Sequence, residues 1–150
     1  MRSKKSASNA EVLCSMACTI DSSLWIAALL KEEQHHHTAF SFLSSVIEQG
    51  EEIIIPVTIY IEIVMAFTRR GAVAEAEMAG EFLFKIPALQ FVEITYPRMI
   101  DIVKSVSSLK LRGMDAIVVA IAREYSTRLA TLDRELAAKA KRAVEVINLF

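Results

Sequence analysis

Two cysteines, three prolines, four glycines and one tryptophan are all that this 150-residue sequence holds of the residue types that staple or punctuate a chain. Cys14 and Cys18 lie four apart, with no second pair and no neighbouring histidine. That is too little for a zinc site, and free thiols are expected. So little proline and glycine beside 53% apolar residues excludes a linker-like or low-complexity chain and points to packed helices and buried strands. No apolar run approaches the ~20 residues that cross a bilayer; even AIVVAIA stops at Arg123 and Glu124. A net charge of −1 argues against a protein that holds nucleic acid nonspecifically by bulk electrostatics, while leaving room for a local basic rim. The N-terminal MRSKKSASNAEVLC has charge but no apolar segment behind it, so it does not read as a secretory signal, and a cytoplasmic location is expected.

The length suits one domain with a single sizeable core. Residues 1–15 are small and polar without periodicity and read as a flexible tail; order is expected over 16–150. MACTID reads as a short buried strand ending at Asp21, and SSLWIAALLKEE as a helix that Ser22 or Ser23 can cap. His35, His36 and His37 point about 100° apart on a helix and cannot converge on one ion, so they read as a solvated helix start. The helix over 36–49 stops at Gly50. EIIIPV is a strand with Pro56 near its end, and TIYIEIVMAFTRRG a helix with Gly71 at the C′ position. Further along, ALQFVEI, RLATLD and VEVINLF read as strands, separated by the helices AVAEAEMAGEFLFKI, PRMIDIVKSVSSLKL, MDAIVVAIAREYS and RELAAKAKR. Short apolar strands alternating with helices predict an α/β fold with a mainly parallel sheet covered on both faces. Ligands bind such sheets beyond the carboxyl ends of the strands, where strand order reverses.

Four acids stand out against this frame. Asp21 ends CTID and Asp133 ends LATLD, each followed at once by a helix, and Asp115 heads the apolar run AIVVAIA. Each of the three has a purely structural reading as an N-cap. Glu62 lies inside TIYIEIVMAF on a mostly apolar face, where no cap is possible; an ion pair or a snorkelling side chain is its structural alternative. Carboxylates gathered in one place repel and raise each other's pKa. A divalent cation reverses that, and Mg²⁺ or Mn²⁺ takes hard oxygen ligands and leaves positions open for phosphate oxygens. Such a site suits phosphodiester hydrolysis.

In the motifs TIDSSLW, PVTIYIE, MDAIVVAIA and RLATLD the sequence resembles a PIN-domain ribonuclease, in particular the VapC-type toxin of toxin–antitoxin pairs, from about Met16 to the C-terminus. The resemblance implies a three-layer fold with about five strands between helices. It also implies that Asp21, Glu62, Asp115 and Asp133 are the catalytic acids that hold Mg²⁺ or Mn²⁺. Ser23 and Thr131 are candidates for supporting polar roles. For Thr131 a plain strand threonine is the alternative, and Ser22–Ser23 stands where many relatives have Thr-Asn. With the four acids set aside, 14 of the 18 remain against 17 basic residues. Arg69, Arg70, Lys110, Arg112 and Arg134 are candidates for contacting RNA, each with solvated surface as the alternative. A tail of 15 residues before Met16 departs from the family, and its Arg2, Lys4 and Lys5 are further candidates.

The implied partners are an RNA substrate, a second copy of the chain and a small antitoxin. Phe67, Met78, Phe82 and Phe84 serve either as core or as a protein-binding surface. Two other readings stand beside the toxin: a stand-alone RNA-processing nuclease, and a catalytically silent PIN-like module that binds RNA or protein. A haloacid-dehalogenase-type phosphatase would need an aspartate where Ser23 stands, and a response-regulator receiver would need acids and a lysine at strand ends that lack them. No aromatic stacking platform and no RNA-binding motif is legible.

Overall fold

The computed structural model of the chain describes residues 17–150. The expected tail over 1–15, with Arg2, Lys4, Lys5 and Cys14, and the expected strand start at Met16 lie outside the described residues. Five strands form one parallel sheet in the order β3-β2-β1-β4-β5: β1 Cys18–Ile20, β2 Ile53–Pro56, β3 Leu89–Val92, β4 Arg128–Ala130 and β5 Val146–Ile147. Seven helices flank it: α1 Ser22–Leu29, α2 His36–Glu48, α3 Val57–Arg69, α4 Val73–Lys85, α5 Tyr96–Val106, α6 Gly113–Glu124 and α7 Arg134–Ala140. The fold is therefore the expected α/β one.

Burial explains the absence of period-2 alternation in the central strands. Every residue of β1 and of β2 is buried, because helices cover the sheet; α6 packs on β1, β2 and β4. Trp25, Leu24, Ile53, Ile55, Ile59 and Ile63 fill the interior, each full burial of a large side chain contributing roughly 1.5–3 kcal/mol. The one polar atom of Trp25 is satisfied, since its Nε1 donates to the Ile20 carbonyl at 3.1 Å. Cys18 is a free thiol within this core, and burial pushes it up to about 12, so it stays protonated and unreactive at neutral pH.

The stop at Gly71 is made as the sequence predicts. Gly71 takes φ +76, its N–H donates to the Thr68 carbonyl and that of Ala72 to the Phe67 carbonyl, the two bonds of a Schellman cap. Other boundaries differ from expectation. β4 ends at Ala130, before Thr131 and Asp133, and the helix expected to reach residue 111 ends at Val106, followed by a 3₁₀ turn over Ser107–Leu109. The histidines do open α2, but His36 is not wholly solvated: its Nδ1 donates to the Ala27 carbonyl at 2.8 Å and ties α2 to α1.

The chain runs from β1 outward through β2 to β3, then returns to lay β4 on the other side of β1. Strand order therefore reverses between β1 and β4. The residues that leave the carboxyl ends of these two strands stand side by side, which brings Asp21 near Thr131 and Asp133.

Candidate active site

At this reversal a cavity of about 1000 Å³ opens, and Asp21, Glu62, Asp115 and Asp133 all line it. Each arrives by a different local device. Asp21 follows β1 directly and is the N-cap of α1. Its Oδ2 accepts from the Ser23 hydroxyl at 2.7 Å, from the Thr131 hydroxyl at 2.9 Å and from the Ser23 N–H at 3.4 Å. All three bonds fall on one oxygen, leaving Oδ1 without a protein partner among the described residues.

Ser23 and Thr131 do more than touch Asp21. The Ser23 oxygen also accepts from the Leu132 N–H at 3.1 Å, and the Thr131 oxygen from the Asp133 N–H at 3.0 Å. With both hydroxyl protons given to Asp21, the 3.2 Å contact between the two oxygens is proximity and carries no proton of its own. The small network stitches the end of β1 to the turn after β4. Thr131 plays this part from the turn and not, as the sequence suggests, from the strand beside Asp133.

Asp133 caps α7, its Oδ1 accepting from the Leu136 N–H at 3.0 Å. Asp115 is not a cap: α6 begins two residues earlier with Arg112 in the cap position, and Asp115 sits in the first turn. Burial raises its pKa, helped by the charges of Asp21 and Asp133, while Arg112 opposes the rise. Glu62 projects from the middle of α3. Burial pushes it up from 4.5 to about 7, Asp21 and Asp115 add to the rise, and a hydrogen bond from Ser22 opposes it. Neither an ion pair nor a solvated position holds Glu62 here.

The four acids share one cavity and sense one another's charge. Among the described residues, however, no three carboxylate, imidazole or thiol groups stand close enough to close around an ion. The acids ring the cavity with rotatable side chains. Their chemistry suits a hard cation: every donor is oxygen, and the destabilised Glu62 and Asp115 charges are relieved by positive charge.

The basic candidates divide. Arg69, Lys110 and Arg112 line the cavity. Arg70 turns away to pair with Glu33, and Arg134 places its guanidinium over the Phe150 ring, 4.9 Å from the centroid. Phe67 is core, whereas Met78 and Phe84 are exposed and Phe82 is partly so. Ser22, which the sequence offers as a cap of α1, is not the cap, since Asp21 holds that position, and it hydrogen-bonds Glu62 instead. Sequence reasoning missed the apolar Met99, Val103 and Met114 in the cavity lining; the four-residue spacing of Met99 and Val103 was the available signal.

The sequence matches the family description "PIN domain" over residues 18–142. Three solved structures share the fold. VapC20 of Mycobacterium tuberculosis, described as a sarcin-ricin loop cleaving toxin, aligns with a TM-score of 0.66 at 17% identity over 86% of this chain and 98% of its own. VapBC2 from Rickettsia felis, solved bound to a DNA fragment from their promoter, gives 0.67 at 12% identity over 89% and 98%. PAE2754 from Pyrobaculum aerophilum gives 0.62 at 20% identity over 87% and 90%. Among curated protein sequences none matches.

Proposed function

Because the chain belongs to the PIN domain family, we propose that it is a metal-dependent endoribonuclease that hydrolyses RNA phosphodiester bonds as the toxin of a toxin–antitoxin pair in the cytoplasm. The observation that carries the reading is that Asp21, Glu62, Asp115 and Asp133 line one cavity at the point where strand order reverses, two of them with carboxyl groups whose ionisation the surroundings oppose. Neighbours in fold that carry VapC or VapBC names add support for the toxin.

The residues that would hold Mg²⁺ or Mn²⁺ are these four acids. Bound among them, such an ion supplies positive charge for a phosphodiester and eases ionisation of the attacking water. The chain's own residues do the rest. Ser23 and Thr131 fix Asp21 through Oδ2 and leave Oδ1 free, so its carboxylate is oriented before any ligand arrives. Asp133 is held at Oδ1 by its cap bond in the same way, with its second oxygen free. Arg112 offsets part of the charge of Asp115, and Arg69, Lys110 and Arg112 in the cavity lining offer donors to phosphate oxygens. Arg70 and Arg134, engaged elsewhere, contribute to RNA contact only after leaving Glu33 and Phe150. For the antitoxin, a separate groove of about 650 Å³ runs past Leu29, Leu30, Phe67, Met78 and Phe82, with acids and bases on its rim. A second copy of the chain is the other expected partner.

The deciding experiment is cleavage of a structured RNA pool by the purified chain in Mg²⁺, Mn²⁺ or EDTA, beside an Asp115→Asn variant verified as folded. Metal-dependent cutting that the variant lacks is expected. No cutting in either metal, together with no metal-induced rise in Tm, would leave a silent binding module. A neighbouring reading frame for a small DNA-binding protein separates the toxin from a stand-alone RNA-processing nuclease.

A further inference from the structure

We propose that Lys139, which does not itself line the acid cavity, is a positioning residue for RNA: from α7 it fixes the turn between α5 and α6 so that Lys110 and Arg112 stay at the cavity rim. The inference rests on the nuclease reading above and adds the device that orders its cations. The turn, residues 107–112, alternates in exposure. Leu109 is buried and Leu111 half-buried, whereas Lys110 and Arg112 are exposed and both line the cavity. Lys110 takes φ 52 and ψ 44, in the left-handed region, which glycine adopts freely and which strains any residue with a Cβ. Such a conformation persists only where its surroundings hold it.

What holds it is Lys139. Its Nζ donates to the Lys110 carbonyl at 3.2 Å and to Glu135 Oε1, one helical turn back, at 2.9 Å. Among the described residues no other hydrogen bond ties residues 107–112 to anything beyond the two helices they join. Within the turn the Lys110 N–H reaches the Ser107 carbonyl only at 3.3 Å, a long bond. Arg112, Asp115, Asp133, Glu135 and Lys139 all line a narrow cleft between the turn and α7. At about 10 Å³ the cleft has room for one water at most, so it is a seam and not a site. α7 thus serves both sides: Asp133 at its head lines the cavity, and Lys139 near its far end pins the turn that leads into α6 and Asp115. RNA nearing four carboxylates meets repulsion, which cations on the rim offset. A cationic side chain on a loose turn loses more freedom on binding than one on a fixed turn, and so contributes less.

The test is a double-mutant cycle on the full chain, read by fluorescence anisotropy with a short single-stranded RNA over a range of NaCl. It is run in Ca²⁺, with gels to verify intact strands and Tm to verify folding. Lys139→Met should weaken binding about threefold or more, the scale of coupling between contacting residues. It should also lower the slope of log affinity against log salt by about 1, since each phosphate contact to a single strand is worth about 0.7. In a Lys110→Met, Arg112→Met background the same substitution should change neither. Lys139→Arg, which keeps a donor for the one carbonyl, should restore the wild-type affinity and slope. Equal losses in both backgrounds would make Lys139 itself an RNA contact, and a lowered Tm with unchanged RNA affinity would make it a structural staple; either result overturns the proposal, as does absence of binding by the wild type. The expected coupling without cleavage in the RNA-pool assay would keep this inference and reject the hydrolase; cleavage with additive losses would do the reverse.

Discussion

In EDTA, a Glu62→Gln variant should be more stable than the wild type at about pH 8 and should lose much of the wild type's decline in stability with rising pH. The folded chain holds the Glu62 proton up to about 7, against 4.5 ordinarily. Between those values the folded state keeps a proton that the unfolded chain has released, so raising the pH favours unfolding; above about pH 7 the penalty is complete and constant. In a group sealed from water the displacement would be worth about 3.4 kcal/mol, at about 1.36 kcal/mol per pH unit. Glu62 is only half-buried, and solvent screening brings this to on the order of 1–2 kcal/mol. Glutamine keeps the shape and cannot ionise. Urea denaturation of both proteins from about pH 5 to about pH 8.5 measures the effect directly. In saturating Mg²⁺ the ranking should reverse, because a ligand at 100 times its Kd stabilises by about 2.7 kcal/mol and only the wild type keeps all four carboxylates. Parallel pH curves in EDTA, or a variant less stable than the wild type at about pH 8, would refute the account of Glu62 as a half-buried acid without a cationic partner.

Ser23→Ala removes a donor to Asp21 and strands the Leu132 N–H, and should cost about 1–3 kcal/mol in urea denaturation. Asp133→Asn keeps the cap of α7 and should leave stability within about 0.5 kcal/mol while lowering metal-dependent cleavage at least tenfold, on the order of the loss seen when a supporting metal-site residue is removed. Asp133→Ala should lose about 1 kcal/mol as well; equal cleavage by wild type and Asn variant would reduce Asp133 to a cap. Gly71→Ala, at φ +76 with open space around it, should lower stability by roughly 1 kcal/mol through backbone strain alone, read as a shift in Tm without change in cleavage.

Element types and order were legible in the sequence because the apolar spacing of TIYIEIVMAF and the unbroken AIVVAIA have one sensible reading each. The roles of the acids were less so. For Asp21 and Asp133 the sequence offers capping and ligand binding as rivals, yet a cap bond uses a single carboxylate oxygen, and both residues keep the other free at the cavity. For Asp115 the expected helix began at Met114, and the structure adds Gly113 with Arg112 in the cap position, so the acid falls inside the first turn. Thr131 reads as strand by propensity, but β4 is cut short by the turn whose N–H groups its own hydroxyl and that of Ser23 accept. The fates of Arg70 and Arg134 were out of reach: each depends on a long side chain choosing a partner, Glu33 or Phe150, that is distant in sequence or at the chain's end.

The bond between Thr131 and Asp21 joins residues 110 positions apart, and this separation governs when the cavity can be completed. During synthesis β1, β2 and β3 are made long before β4, and a contact across so long a loop forms only after the intervening chain has been ordered. A growing or truncated polypeptide that ends before residue 128 has three of the five strands and three of the four acids, with Asp133 missing and Asp21 lacking one of its two hydroxyl partners. The finished cavity is thus a late event on the ribosome.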